Sequence, residues 1–257
     1  MKIVVCIKQV PDSAAKIVAE NGKISWGDAP LVINPWDEYA VEAALLQAET
    51  DRSSSVTALS VGGEQAAEAL KHALAMGCKE AVLVSDAALA QADSLSIAQT
   101  LAAAIRKIGD VDLVVFGRQA IDGDSGLVPV QTARLLGYPM LGLAASLSVS
   151  GSSIKAERTF EESRQQVESK LPAVVSVVKD IGEPRYPSFM GIRKAAKAQI
   201  PVWKLSDLGL GAPQPVVRWS NVSNPPAREG TSEIISGASA QEIAEKLADK
   251  ILAEKVL

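Results

Sequence analysis

Cysteine and histidine, on which most metal sites and many nucleophilic enzymes depend, are scarce in this chain. Its 257 residues include two cysteines, Cys6 and Cys78, and one histidine, His72. The cysteines lack the close spacing of a metal-binding pair, and a lone histidine in an alanine-rich helical segment is typical of a surface residue. The composition therefore disfavours cysteine, histidine and most metal chemistry, and it favours binding as the main task.

An excess of positive charge and a long hydrophobic run are also missing. The net charge of −4 and a pI near 5.2 disfavour broad nucleic-acid binding. No run approaches the roughly 20 apolar residues of a membrane span. Residues 1–5 already have the pattern of a strand, so we expect no secretory or transit leader. Together with two cysteines typical of reduced core residues, this predicts a cytoplasmic protein with no nucleic-acid partner and no membrane span.

What the chain does have is 47% hydrophobic residues, arranged as alternating strand and helix patterns. The predicted strands are residues 1–10, 56–61, 80–84 and 111–116, and the predicted helices are 34–49, 63–76, 93–108 and 127–136. Helices of this length between strands imply right-handed crossovers and a mainly parallel sheet.

The pattern changes after Gly137. Residues 142–149, 153–159 and 165–168 alternate apolar and polar side chains, as antiparallel strands with one wet face do, and 172–178 has the pattern of another buried strand. Beyond Gly182 the chain is rich in Pro, Gly and Ser and ends in a short predicted helix, 240–255. We therefore predict an α/β, Rossmann-like nucleotide-binding domain over 1–182, with added antiparallel strands, followed by an extended C-terminal arm over 183–257.

The segment 117–126 joins a predicted buried strand to a predicted helix and is rich in glycine and aspartate. Such a turn is how an open α/β sheet holds a nucleotide, because glycines admit a phosphate and the next helix offers N–H donors. The carboxylates of Asp122 and Asp124 suit ribose hydroxyls or helix capping. The same pattern also fits an ordinary polar turn in which Asp124 or Ser125 caps the helix, and the segment alone does not decide between the two.

Further motifs are distributed along the whole chain in the order and spacing of one known family. They are 5–12 (VCIKQVPD), 34–38 (NPWDE), 73–77 (ALAMG), 117–126 (GRQAIDGDSG), the run 156–176, 183–188 (EPRYPS) and 207–209 (DLG). The chain resembles the β subunit of electron transfer flavoprotein nearly end to end. Ser163 replaces the Gly or acidic residue usual at its position, on a predicted turn where the change should be harmless.

The resemblance implies a heterodimer with an α subunit that carries a redox-active FAD. The C-terminal arm of β wraps around that α subunit. In simple electron carriers of the family, β holds a structural AMP. In the electron-bifurcating branch, β holds a second FAD that accepts hydride from NADH. One electron then goes to an acyl-CoA dehydrogenase or related flavoprotein dehydrogenase and the other to ferredoxin or flavodoxin. A nucleotide-binding fold without redox function is disfavoured by the arm.

Two segments bear on which branch this chain belongs to. Residues 124–129 (DSGLVP) look like the bifurcating type, and Ser94 keeps a hydroxyl at a helix start, where phosphate is favoured. Ile97 loses a second hydroxyl found in bifurcating members, and Asp93 would cap this helix without any ligand. We therefore favour FAD in β, with AMP as the alternative.

The remaining site residues carry over from the family by position. The resemblance assigns cofactor binding to Cys6, Asn34, Pro35, Trp36, Asp37, Val61, Ser94, Gly117, Arg118, Gln119, Ala120, Ile121, Asp122, Gly123, Asp124, Ser125, Gly126, Leu127 and Val128. Arg118 is either an electrostatic partner of flavin or phosphate, or part of a surface salt bridge. We expect no catalytic side chain and no metal ligand, because the flavin carries the redox chemistry.

A second predicted site lies in the arm. In the family, a loop and helix at this position carry an apolar anchor for the acyl-CoA dehydrogenase, and Phe189 falls at the anchor position. Met190, Ile192, Arg193 and Lys194 complete the predicted docking surface, with cations around an apolar centre. The alternative is that Phe189 and Ile192 are buried against the protein's own sheet.

Overall fold

Thirteen strands and six α-helices occur among residues 1–226, 230 and 232–254, which are those described by the computed structural model. The strands are β1 (Lys2–Cys6), β2 (Gln9–Pro11), β3 (Val18–Glu20), β4 (Lys23–Ser25), β5 (Leu31–Ile33), β6 (Ser55–Val61), β7 (Glu80–Val84), β8 (Leu113–Gly117), β9 (Met140–Ser150), β10 (Ser153–Thr159), β11 (Arg164–Lys170), β12 (Ala173–Val177) and β13 (Val202–Trp203). The helices are α1 (Pro35–Glu49), α2 (Ala67–Met76), α3 (Ser94–Ile108), α4 (Leu127–Leu136), α5 (Phe189–Ala195) and α6 (Ala240–Ala253). The predicted end of the last helix, Lys255, lies outside the described residues.

The main sheet has nine strands in the order β11-β10-β9-β12-β8-β1-β6-β7-β13. The seven from β9 to β13 are parallel to their neighbours, and β10 and β11 extend the sheet antiparallel. This confirms the predicted α/β class with a mainly parallel sheet and added antiparallel strands.

The chain builds this sheet outward from β1 in two directions. It first adds β6 and β7 on one side of β1, then returns to add β8 and β12 on the other. The strand order therefore reverses between β1 and β8. In open α/β sheets the connecting loops diverge at such a switch point, which leaves a crevice at the carboxyl ends of the two strands where ligands bind.

Helices cover both faces of the sheet because alternate side chains of each parallel strand point to opposite faces. Ile3 and Val5 of β1 belong to a core with α1 and α2. Val4 and Cys6 belong to a second core with α3 and α4. Both layers anchor helices whose first turns lie at the carboxyl edge of the sheet, and α1 and α4 begin next to the switch point.

The predicted strand 1–10 is wrong in its length. β1 ends at Cys6, and residues 9–11 pair antiparallel with β5 in a separate two-stranded sheet. β1 ends early because the Lys8 amide donates to the Asp37 carboxylate at 2.8 Å instead of continuing the ladder. The helix predicted over 63–76 also differs, since residues 64–66 form a 3₁₀ turn ahead of α2.

The chain divides into two compact units, each of which makes most of its contacts within itself. The first is Met1–Val222 and the second begins at Ser223. The first unit includes β13, which pairs with the edge strand β7. The second contains α6, which begins where the Ser239 hydroxyl accepts from the Glu242 amide at 3.2 Å. The predicted functional boundary at Gly182 stays a prediction. Among the described residues, the helices are all too short or too polar to cross a membrane.

Candidate functional site

The predicted loop 117–126, called the crevice loop below, leaves β8 at the switch point. Gly117 is the last residue of β8, the strand that pairs with β1, and α4 begins at Leu127 directly after the loop. Asp124 and Gly126 have left-handed backbone, with φ of 54° and 60°. The loop thus turns sharply into the start of α4, where free N–H groups favour an anion.

Gly117 must be glycine because the first turn of α1 presses against it. A Cβ at this position would lie 2.7 Å from the backbone carbonyl of Trp36 and closer still to the Asp37 Oδ1. The crevice loop therefore leaves the sheet in direct contact with α1.

Asn34, which precedes α1, binds the backbone of the crevice loop through its side chain. Its side-chain amide donates to the Gln119 carbonyl at 2.9 Å, and its Oδ1 accepts from the Ile121 amide at 3.2 Å. Its own backbone amide donates to the Lys8 carbonyl at 2.8 Å. Asn34 is fully buried, so its side chain positions the loop backbone.

Asp37 joins the ends of the two strands that flank the crevice. Its carboxylate accepts from the Lys8 amide at 2.8 Å, and its Oδ1 lies against Gly117. Burial raises the pKa of Asp37 to about 7, although the interactions with Lys8, Asn34 and Gly117 act to lower it. Asp37 is thus a buried carboxylate that connects the start of α1 to both strand ends.

The two thiols of the chain, of which only Cys6 lies near Asp37, are not reactive groups. Burial raises the pKa of Cys6 well above its ordinary value, and the charge of Asp37 adds to this effect. Burial likewise raises the pKa of Cys78 to about 12. Cys6 therefore contributes a small buried side chain under the crevice.

An ion pair bridges the mouth of the crevice. Lys8, just past β1, contacts both carboxylate oxygens of Asp122 in the crevice loop, at 2.6 and 2.8 Å. Lys8 was not among the predicted site residues, because it fell within the predicted strand 1–10. Its position at the end of β1 could have identified it, because the carboxyl ends of sheet strands line such crevices.

The outer face of the crevice loop carries polar side chains. The Arg118 guanidinium lies over the Trp36 ring, 5.7 Å from its centroid, and Gln119 donates to the Asp124 carboxylate. Ser125 Oγ accepts from the Leu127 amide at 3.5 Å, and the Ala120 carbonyl accepts from the Asp124 amide at 2.8 Å. Gly123 is exposed, Val128 packs into the core below, and Pro35 occupies the first turn of α1.

Two predicted residues lie further along the same sheet edge. Val61 ends β6, the neighbour of β1, whereas Ser94 starts α3, which follows β7. Asp93 caps α3 by accepting from the Ser96 amide at 2.9 Å, and its other oxygen accepts from the amides of Val216 and Val217. Hydrogen bonds from Ser96 and these amides lower the pKa of Asp93 to about 2. The start of α3 is therefore capped by the chain itself, without a ligand.

The predicted docking residues form an outward-facing apolar surface, called the α5 patch below. Its members are the predicted residues Phe189, Met190 and Ile192, with exposed fractions of 74%, 69% and 52%, and the neighbouring Tyr186, with 95%. Arg193 and Lys194 are exposed beside it. The alternative in which Phe189 and Ile192 are buried is therefore wrong.

The α5 patch is held on the first unit by small buried residues and one cap. Gly191 lies against the Ala75 carbonyl of α2, where a side chain would not fit, and Ala195 is buried. Ser188 Oγ accepts from the Gly191 amide at 2.9 Å. Small residues therefore face the protein and large apolar residues face outward.

Arg185 attaches the segment before α5 to α1. Its guanidinium donates to both oxygens of the buried Glu42, at 2.8 and 2.9 Å, and to Glu49 at 2.6 Å. Burial acts to raise the pKa of Glu42, but hydrogen bonds and charge from Arg185 lower it below its ordinary value. The Glu42–Glu49 spacing of seven places both acids on one side of α1, which is the sequence signal for this anchor.

Comparison with known proteins gives a consistent result over the whole length. The electron transfer flavoprotein domain family matches residues 26–208. The chain is 36% identical over 266 positions to the caffeyl-CoA reductase–Etf complex subunit CarD of Acetobacterium woodii, with both chains covered completely. It is 33% identical over 270 positions to the electron transfer flavoprotein subunit beta of Megasphaera elsdenii, again with complete coverage. The corresponding subunit of Bacillus subtilis is 36% identical over 248 positions, with 95% of each chain covered.

Proposed function

This chain belongs to the electron transfer flavoprotein family, and we propose that, as the β subunit of the heterodimer, it binds FAD in the crevice between β1 and β8. The α subunit carries the other FAD. The complex passes electrons between NADH or a dehydrogenase and acceptor proteins, by flavin-based electron bifurcation. NADH-dependent oxidoreductase activity then belongs to the αβ complex and not to this chain alone.

The observation that carries the proposal is the position of the crevice loop at the switch point. The loop leaves β8 where the strand order reverses, and it runs directly into the start of α4. This is the standard place for a nucleotide in an open α/β sheet, with phosphate favoured at the helix start. The glycine at 117 and the left-handed residues at 124 and 126 give the backbone its turn.

Each part of the crevice has a distinct role in this proposal. Backbone amides of 125–128 hold phosphate, Asp122 or Asp124 holds ribose hydroxyls, and Arg118 provides a cation for flavin or phosphate. The bound flavin would supply hydride and single-electron chemistry, while the chain sets distance, orientation and electrostatics. Asn34 and Asp37 act from below by holding the loop.

The choice of FAD rests on the segment 124–129 and on the Ser94 hydroxyl at the start of α3. An alternative electron carrier with structural AMP in β is favoured by one observation: Asp93, with Val216 and Val217 bound to it, already caps α3. The curated relatives are about equally identical to this chain, so overall identity does not separate the two functions.

The proposed partners follow from the arm and from the relatives. We propose that the arm, 183–257, packs on the α subunit and that the α5 patch docks a client dehydrogenase. One relative is named as a subunit of a caffeyl-CoA reductase complex, which supports a client acting on CoA thioesters, such as an acyl-CoA dehydrogenase or related flavoprotein dehydrogenase. Ferredoxin or flavodoxin is the proposed low-potential acceptor, and a cytoplasmic location stays a prediction.

The test is the nucleotide content of the purified αβ complex. Acid-released nucleotide should contain two FAD per αβ pair and little AMP. One FAD with one AMP per pair would replace this proposal with the electron-carrier alternative.

A further inference from the structure

Three segments meet beneath the crevice loop: the start of α1, the end of β1 and the first residue of the loop. Asp37 lies in the first turn of α1, accepts from the Lys8 amide at 2.8 Å and has its Oδ1 against Gly117, so its carboxylate contacts all three. We infer that Asp37 is a titratable positioning residue, whose ionised form holds the crevice loop in the shape that binds nucleotide and whose protonation releases it. The part of this inference that concerns nucleotide binding rests on the proposed function.

The contacts of Asp37 favour its ionised form. The Lys8 amide can only donate to Asp37, and the interactions with Gly117 and Asn34 also favour the carboxylate over the acid. Hydrogen bonds to an ionised carboxylate are stronger than those to a neutral acid, which also has fewer acceptor sites. Protonation therefore weakens the links between Asp37 and the strand ends.

The surroundings of Asp37 place this change near neutral pH. The groups that face it are the Lys8 ammonium and the Cys6 thiol from the β1 side, together with Asn34 from its own segment. Lys8 is itself paired with Asp122, and the adjacent Glu38 of α1 is paired with His72 at 2.9 Å. Burial raises the pKa to about 7 despite the favourable contacts, so both forms are populated near neutral pH.

The consequence for binding comes from the connection between Asp37 and the loop. Gly117 is the residue at which the loop leaves the sheet, and Lys8 carries the side chain that holds Asp122 from across the crevice. Loss of the contact with Lys8 or with Gly117 frees one side of the crevice. We therefore expect nucleotide affinity to rise with pH through neutrality.

The first experiment measures the contacts of Asp37 with Lys8 and Gly117, called the Asp37 clamp below, in the full chain without nucleotide. In NMR spectra recorded between about pH 6 and pH 8, the amides of Lys8 and Gly117 and the Asp37 carboxyl carbon should titrate together with one apparent pKa. Asp37→Asn should abolish the amide titration, and the neighbouring Glu38→Gln should keep it. Amides that do not titrate with the Asp37 carboxyl carbon would overturn the inference, and that comparison needs no variant to fold.

The second experiment measures FAD and AMP binding to the αβ complex whose β site has been emptied, by calorimetry at both ends of that pH range. Wild type should bind about tenfold more weakly at pH 6 than at pH 8, as expected for one group with a pKa near 7. Asp37→Asn should remove this difference, and because AMP's own phosphate titrates equally in both proteins, its effect cancels. Equal pH dependence in the two proteins, or the opposite slope in wild type, would overturn the inference. If wild type binds neither nucleotide, the proposed function fails. The NMR titration still shows whether the Asp37 clamp opens on protonation.

Discussion

The crevice and the α5 patch use their side chains in opposite ways. Under the crevice loop, Asn34 and Asp37 point inward and bond to the protein's own backbone. On α5, Phe189 and Met190 point outward, and the small residues Gly191 and Ala195 make the contact with the protein.

The inward side chains shape a binding site, whereas the outward side chains are available to contact a partner. A buried polar residue whose bonds are satisfied within the protein fixes the position of a backbone that a ligand can use. An exposed aromatic residue offers apolar area that only a partner can bury. We therefore expect substitutions below the crevice to change stability and nucleotide binding, and substitutions on the α5 patch to change dehydrogenase binding alone.

The largest expected effect is on the pH dependence of stability. The pKa of Asp37 is raised from an ordinary value of 3.8 to about 7 in the folded chain. The folded state therefore binds more protons than the unfolded state between these values, and stability falls as pH rises from about 4 to about 7. Relative to Asp37→Asn, the unfolding free energy of wild type should fall by up to about 4 kcal/mol over this range. Denaturant unfolding at several pH values checks this.

Glu38→Gln is the matched control for that measurement and should keep the wild-type slope. Parallel pH profiles for wild type and Asp37→Asn would contradict the burial of an ionisable carboxyl beneath the crevice. The predicted slope also means that the ionised form of Asp37, which closes the Asp37 clamp, lowers the free energy of unfolding.

Removal of Arg185 should disturb the connection between the two regions. Arg185→Ala leaves Glu42, whose side chain is only 7% exposed, without its charged partner. Breaking a pair with one buried member in this way costs about 3 kcal/mol. The exposed Arg193→Ala should change the unfolding free energy by no more than about 0.5 kcal/mol. Equal losses in the two variants would show that the Glu42 pair is not an anchor.

Phe189→Ala tests the α5 patch. If Phe189 is a docking anchor, the variant complex should lose about 2 kcal/mol of affinity for the acyl-CoA dehydrogenase, measured by direct binding. Its nucleotide content and heterodimer stability should not change, because Phe189 is 74% exposed. Phe160→Ala, at a partly exposed aromatic on the loop between β10 and β11, is the control and should leave dehydrogenase binding intact. Unchanged affinity in Phe189→Ala would remove the anchor assignment.

A small stability effect is expected for the ion pair at the crevice mouth. Lys8 is half exposed, so Lys8→Met should cost less than about 1 kcal/mol of unfolding free energy. Added salt should reduce the difference from wild type further, because exposed charges are screened. A cost of several kcal/mol that does not depend on salt would mean that the pair is far better shielded than its exposure indicates.

The sequence was sufficient for the parts of the fold that depend on local pattern. The alternation of apolar strands and helices predicted the parallel sheet, and the glycine-rich segment after the 111–116 strand predicted the loop at its carboxyl edge. The early end of β1 could not be predicted, because it depends on a hydrogen bond from Lys8 to Asp37, which is 29 positions away. The inward orientation of Asn34 has the same cause, since its partners Gln119 and Ile121 are brought near only by the fold.

The central claim, that the crevice between β1 and β8 holds the second nucleotide, is tested most directly at Gly117. A side chain there collides with the Trp36 carbonyl and Asp37, whereas the exposed Gly123 in the same loop has no atom within 4 Å of an added Cβ. Acid-released FAD should therefore fall from two per αβ pair in wild type to one in Gly117→Val and remain at two in Gly123→Ala. A Gly117→Val complex that folds, assembles and still releases two FAD would contradict the account.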